Sequence, residues 1–210
     1  MDLFGGATGA ASRRTPESMF QVRIHGRGGQ GVVSGAEMLS LAAFFEGRHA
    51  QAFPSFGSER MGAPVVAFCR IDERAIRLRE PVMEPDALII QDPTLLHQVD
   101  LFNGLHAEGY ILINSTRSFD ELGLGEFARD FHHFHLCTVP ATELALKHLG
   151  RPLPNVALLG GFAAISGAIK LESVLQAVRD RFESKLARAN IGAAIEAYEI
   201  VAREKTALDA

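Results

Sequence analysis

Apolar and polar residues alternate through FQVRIH at residues 20–25, and the alternation runs directly into GRGGQG and then into apolar positions at helical spacing. A period of two, a glycine turn and a period of 3.6 predict strand, tight turn and helix. The helix covers residues 32–45, with Val33, Ala36, Leu39 and Ala43 facing inward and Glu46 and Gly47 closing it. A second strand is expected at 49–53, a turn-rich loop at 54–62, and a β-rich run, PVVAFCRI, at 64–71. Asp72 to Arg74 then predict a turn into a short return strand at 75–78, which makes a hairpin.

The βαβ rhythm resumes with a buried-type strand, DALIIQD, at 86–92, a helical pattern over 94–106 and a strand at 110–114. A further strand at 134–139 leads to a helix at 141–149 and a turn at 150–154. Helical patterns at 156–169, 171–182 and 187–203 complete the chain. The expected fold is α/β: a three-layer sandwich with a mostly parallel, Rossmann-like sheet, a β-hairpin at one side and a helical C-terminal part. Residues 19–205 are read as a single domain and residues 1–18, rich in Gly, Ala and Ser, as a flexible tail.

Composition narrows the function classes. The chain has 210 residues, 47% of them hydrophobic, and a net charge of −4, with no basic stripe or aromatic platform for nucleic acid. Even residues 156–171 are broken by glycines, Ser166 and Lys170, so no segment supplies the roughly 20 apolar residues of a membrane span. A cytoplasmic protein is expected, with Cys69 and Cys137 reduced. Two cysteines fall short of the four thiolates of a [4Fe–4S] cluster.

Gly26, Gly28 and Gly31 satisfy GxGxxG after a strand and before a helix, a backbone suited to close phosphate approach. Ligands in such sheets collect beyond the carboxyl ends of the strands. GRGGQG, PSFGSERMG at 54–62 and NSTRS at 114–118 are expected to meet there. A dinucleotide site calls for a carboxylate at the end of the second strand, where this chain has Phe53, Pro54 and Ser55. Glu46 belongs at the other end of the sheet.

Ser58, Glu59 and Arg60 form a charged loop, and Arg60 suits a phosphate or carboxylate as well as an interface ion pair. Asn114 to Arg117 offer donors for ribose, phosphate or amide groups, and equally for a helix cap. His132, His133 and His135 invite a metal reading. On a strand, same-face neighbours stand about 6–7 Å apart, too far for all to share one ion. Nucleophile-elbow, paired-carboxylate and HExxH signatures are lacking, which points to a binding subunit.

RIHGRGGQGVVSGAEMLSLAA, SFGSERMGAPVVAFCRI, DALIIQD and YILINST together resemble the γ subunit of the 2-oxoacid:ferredoxin oxidoreductase (pyruvate synthase) family, over residues 20–203. The second element is more like the pyruvate and branched-chain or aryl 2-oxoacid branches than the 2-oxoglutarate branch. The resemblance implies a complex that oxidatively decarboxylates a 2-oxoacid and passes the acyl group to coenzyme A. Thiamine diphosphate, Mg and [4Fe–4S] clusters would lie on α-, β- and δ-type partners, with ferredoxin or a flavin/NAD-linked subunit as electron acceptor. By the same resemblance, Gly28, Gly29, Gln30 and Gly31 would bond CoA through backbone and amide groups. Ser58 and Arg60 would approach its phosphates or close the path to thiamine, and Asn114 and Thr116 would hold the adenosine or pantetheine part. A stand-alone dinucleotide-dependent oxidoreductase and a purely structural docking subunit are the alternatives.

Overall fold

Alternation along β1 (Phe20–Arg27) sends Val22 and Ile24 to one face of the sheet and Arg23 and His25 to the other. The computed structural model describes residues 19–55 and 61–208, so the expected tail lies outside the described residues, as do Ser58 and Arg60. After β1 come α1 (Val32–Phe45), β2 (His49–Pro54), β3 (Pro64–Asp72), β4 (Ala87–Ile90) and a 3-10 turn at Pro93–His97. β5 (Tyr110–Asn114), α2 (Gly125–Ala128), a 3-10 turn at His133–His135 and β6 (Leu136–Val139) follow, then α3 (Ala141–Leu149), α4 (Asn155–Ser166), α5 (Leu171–Arg181) and α6 (Ser184–Leu208).

The six strands lie in the order β2-β3-β1-β4-β5-β6. β1, β4, β5 and β6 run parallel, whereas β3 is antiparallel to both β1 and β2. The expected α/β sandwich with its mostly parallel sheet and hairpin is therefore present, but the hairpin is β2–β3. No strand forms at 75–78. Both edges of β3 are already taken, so the segment after it crosses the sheet face instead. There Arg70 donates to the carbonyls of Glu80 (2.6 Å) and Pro81, and Arg23 to that of Val82.

The helix expected over 94–106 is also replaced, by the 3-10 turn and further turns. Pro93 and the Asp92 cap start the turn, and Gly104 with φ 77 breaks the pattern. Leu95, Leu101 and Leu105 still reach the core. Likewise the strand expected from residue 134 begins only at Leu136, and the rings of His132 and His133 stack at 4.9 Å in the turn before it. The same-face strand spacing of these histidines thus does not apply.

One sheet face carries α1, α4, α5 and α6 around Ile24, Leu112 and Phe162; the other carries the short turns around Leu88, Ile90 and Ile113. α4 is apolar nearly all round because it is covered on both sides. Gly161 faces Leu112 and Val139 on the sheet, while Gly160 lies against the main chain of α6 at Ala194. Among the described residues no helix is long and apolar enough to cross a membrane.

His25 is buried beside Arg23, and its Nε2 has no hydrogen-bond partner. Burial first, and the Arg23 charge second, push its pKa from 6.5 down to about 3. The unfolded chain therefore takes up this proton first as pH falls below 6.5, and stability declines through the window from 6.5 towards 3. Between pH 7 and 5.5 the loss from this group is expected to be about 1 kcal/mol. Chemical denaturation of a His25→Met variant at both pH values checks this; an acid slope as steep as the parent's would refute it.

Candidate functional site

β1, β2, β4 and β5 all present their carboxyl ends at the edge where the glycine turn sits. The turn is tight because its glycines permit it. A Cβ on Gly26 would lie 2.6 Å from Val32 Cγ2, and Gly29 and Gly31 adopt φ of 93 and 74. Gly31 is the N-cap of α1, so no side chain caps the helix, and its first turn holds no acidic residue. The leading amides of α1, which have no intrahelical acceptor, thus face outward with the positive end of the helix dipole.

The turn is joined to the loop after β2. Gly28 N donates to Ala63 O at 2.9 Å, and Gly62 N donates to Gly28 O at 3.1 Å. Two of the three expected segments therefore meet, through Met61 and Gly62. Met61 is 88% exposed, yet its sulfur lies 2.9 Å from where a Cβ on Gly29 would stand, so it overhangs the turn. A cavity of about 480 Å³ opens here, lined by Gly29, Gly31, Val33, Ser34, Met61 and Val65 among others. Amides at its floor suit an anionic oxygen, and the thioether lip suits an apolar group or ring. A separate cavity of about 450 Å³, between α1 and β2 at Glu37, Leu41, Phe44 and Ala50, shares none of these residues.

Beneath the turn lies a polar brace. Gln30 Oε1 accepts from Arg27 N at 2.8 Å, and Gln30 Nε2 donates to Asp92 Oδ2 at 2.9 Å. Asp92 also accepts from Arg27 Nε (3.1 Å), Thr94 N (3.0 Å) and Thr94 Oγ1 (2.6 Å). Burial alone pushes the Asp92 carboxyl up, but the bonds from Thr94 and Gln30 and the charge of Arg27 outweigh it and hold the pKa below the ordinary carboxylate value. The Arg27 guanidinium is spent on Asp92, Gly62 O, Thr94 and Gln98. Asn155, at the start of α4, donates to Gly31 O at 3.2 Å.

Of the residues singled out from sequence, Gly28, Gly29 and Gly31 line the cavity. Gln30 sits in the same turn, with its amide turned inward to the brace. Asn114 is buried. Its Nδ2 donates to Gln91 O (2.8 Å) and Thr142 Oγ1 (2.7 Å), and its Oδ1 accepts from Thr142 N (3.0 Å). Both N–H groups are thus used to tie β4, β5 and the start of α3 together, and none is left for a ligand. Thr116 is exposed in the following turn and does not line the cavity. Asp92, Met61 and Asn155 were not among the candidates; the carboxylate closing DALIIQD, at the end of a buried strand, was the available signal for the first.

β3 occupies the place beside β1 where a dinucleotide fold has a second parallel strand. Glu46 caps the far end of α1, where it binds Arg48 and Lys170 N.

The sequence model of the pyruvate ferredoxin/flavodoxin oxidoreductase family matches residues 21–200. The common γ subunit of pyruvate/ketoisovalerate oxidoreductases from Pyrococcus abyssi is 46% identical over 181 residues, covering 86% of this chain and 96% of its own. Pyruvate synthase subunit PorC of Methanocaldococcus jannaschii is also 46% identical, with the same coverage. The crystal structure of pyruvate oxidoreductase subunit PORC from Thermotoga maritima superposes with a TM-score of 0.72 at 35% identity, covering 86% of this chain and 96% of that one.

Proposed function

Because this chain belongs to the pyruvate ferredoxin/flavodoxin oxidoreductase family, as a γ-type subunit of an oxidoreductase complex, we propose that its glycine turn binds coenzyme A for acylation on partner subunits. The substrate class is pyruvate or a related branched-chain or aryl 2-oxoacid, and the products are acyl-CoA, CO2 and two electrons. The partners are α-, β- and δ-type subunits that hold thiamine diphosphate, Mg and [4Fe–4S] clusters, with ferredoxin or a flavin/NAD-linked subunit as electron acceptor. This chain's own thiols do not suit a cluster. Burial pushes Cys69 up to about 12, and Cys137 Sγ donates to Glu204 Oε2 at 2.8 Å.

The observation that carries the reading is the uncapped start of α1 opening into a cavity with an apolar lip. An anionic phosphate fits the amides and helix dipole, and the Met61 and Val65 side fits the pantetheine chain or adenine. The chain's contribution to rate is then positional: it brings the thiol to the acyl intermediate on its neighbour.

Ser34 lies in the first turn of α1 and lines the cavity. A carboxylate there complements the helix dipole yet repels a bound phosphate. Ser34→Asp is therefore expected to leave the melting temperature equal or slightly raised while increasing the KM for CoA about fivefold, an effect that shrinks with salt. Steady-state kinetics of the assembled complex at low and high ionic strength measure this. An unchanged KM at low salt would sink the CoA assignment.

A further inference from the structure

The geometry points to Asp92 as a positioning residue for coenzyme A, acting through Gln30 and Arg27 to hold the glycine turn open at the ligand site. The inference rests on the CoA reading above. Asp92 closes β4, next to β1, and its two carboxylate oxygens divide their work. Oδ2 receives the donors of the turn, Arg27 Nε and Gln30 Nε2, and Oδ1 receives both donors of Thr94. Gln30 in turn receives the main-chain N–H of Arg27, so the side chain of Gln30 bridges the last residue of β1 to Asp92 across the turn. Arg27 carries the constraint onward to Gly62 O, in the segment bearing Met61. One carboxylate thereby sets the relative position of the cavity's amide floor and its apolar lip.

This arrangement distinguishes a carboxylate from any group of similar shape. An asparagine at 92 has one acceptor and one N–H2 donor. Whichever way it turns, the N–H2 meets the donors of either Thr94 or the Arg27–Gln30 pair. Bulk and burial are unchanged, so the loss falls on these hydrogen bonds rather than on packing. With the N–H2 toward Arg27 and Gln30, or with Gln30→Ala, the two glycines with positive φ lose the brace that keeps them in register with α1.

The test is kinetic and uses the assembled oxidoreductase carrying Asp92→Asn, Gln30→Ala or both. Hydrogen bonds to a charged group are strong enough that each single variant is expected to raise the KM for CoA about tenfold, with a much smaller change in kcat at saturating CoA. Because both remove the Gln30–Asp92 contact, the double variant is expected to fall well short of the product of the two single effects. Gln30→Ala alone decides the question if Asp92→Asn fails to assemble. Additive effects in the double variant, or equal losses in kcat and kcat/KM, would overturn the positioning role. If Ser34→Asp raises the KM while Asp92→Asn and Gln30→Ala do not, the inference fails and the CoA reading stands. If none of the three raises it, both fail.

Discussion

Gly160→Ala is expected to destabilise the chain by about 3 kcal/mol or more, although it adds only a methyl group. The added Cβ would stand 2.0 Å from the carbonyl oxygen of Ala194, 2.7 Å from its carbon and 2.8 Å from its Cα. All three are main-chain atoms of α6, so no rotamer change relieves the contact. The helices must separate instead, and α4 cannot retreat because its opposite side already rests on the sheet. The better helix propensity of alanine returns only about 1 kcal/mol. For a domain of this size the expected fall in melting temperature is about 5–10 °C. Gly161→Ala is the control: its Cβ would meet only side-chain atoms, at 3.3–3.6 Å, and a change within about 1 kcal/mol is expected. Guanidinium unfolding of the two variants decides the matter; equal midpoints would contradict the close crossing of α4 and α6.

Gly31→Ala is expected to combine a stability loss of about 2–3 kcal/mol with an increase in the KM for CoA of about tenfold or more. Its φ of 74 is left-handed, and its Cβ would lie 2.6 Å from Asn155 Nδ2, the atom that donates to the Gly31 carbonyl. Alanine therefore both strains the N-cap and pushes a buried amide off its acceptor, which redirects the leading amides of α1. Gly47, at the opposite end of the same helix, has φ 79 and open space around it. Gly47→Ala carries the strain without the displacement, so it is expected to lower stability by about 1 kcal/mol and leave the KM alone. A Gly47→Ala variant with a raised KM would show that the Gly31 effect is not local to the cradle.

The elements legible in the sequence are those specified by near neighbours. α1 and α3 fall on residues 32–45 and 141–149 as read from periodicity, because glycine and proline punctuation marks their ends, and β5 falls on 110–114, after Gly109. Strand pairing is a different matter. The hydrophobic run of β3 does not say that it will lie antiparallel between β1 and β2, and the return strand expected at 75–78 disappears once both of its edges are occupied. Leu95, Leu101 and Leu105 mark a buried face without fixing the backbone between them. The candidate site divides in the same way. Its glycines are contiguous and visible, whereas Asp92 reaches Arg27 and Gln30 across separations of 65 and 62 residues. Asn114 was visible as a polar residue at a strand end, but its partner Thr142, which turns the amide inward, lies 28 residues on.

Asn155 begins α4, and Gly160 lies little more than one turn further along the same helix. The floor of the cradle at Gly31 is therefore propped by the same short rod that crosses α6 closely in the interior. A disturbance that lifts the rod from α6 is expected to tilt the support of the cradle as well, with no residue of the cavity lining altered. On the proposed CoA reading, substitutions buried well away from the cavity are therefore expected to register in CoA saturation curves as well as in melting curves.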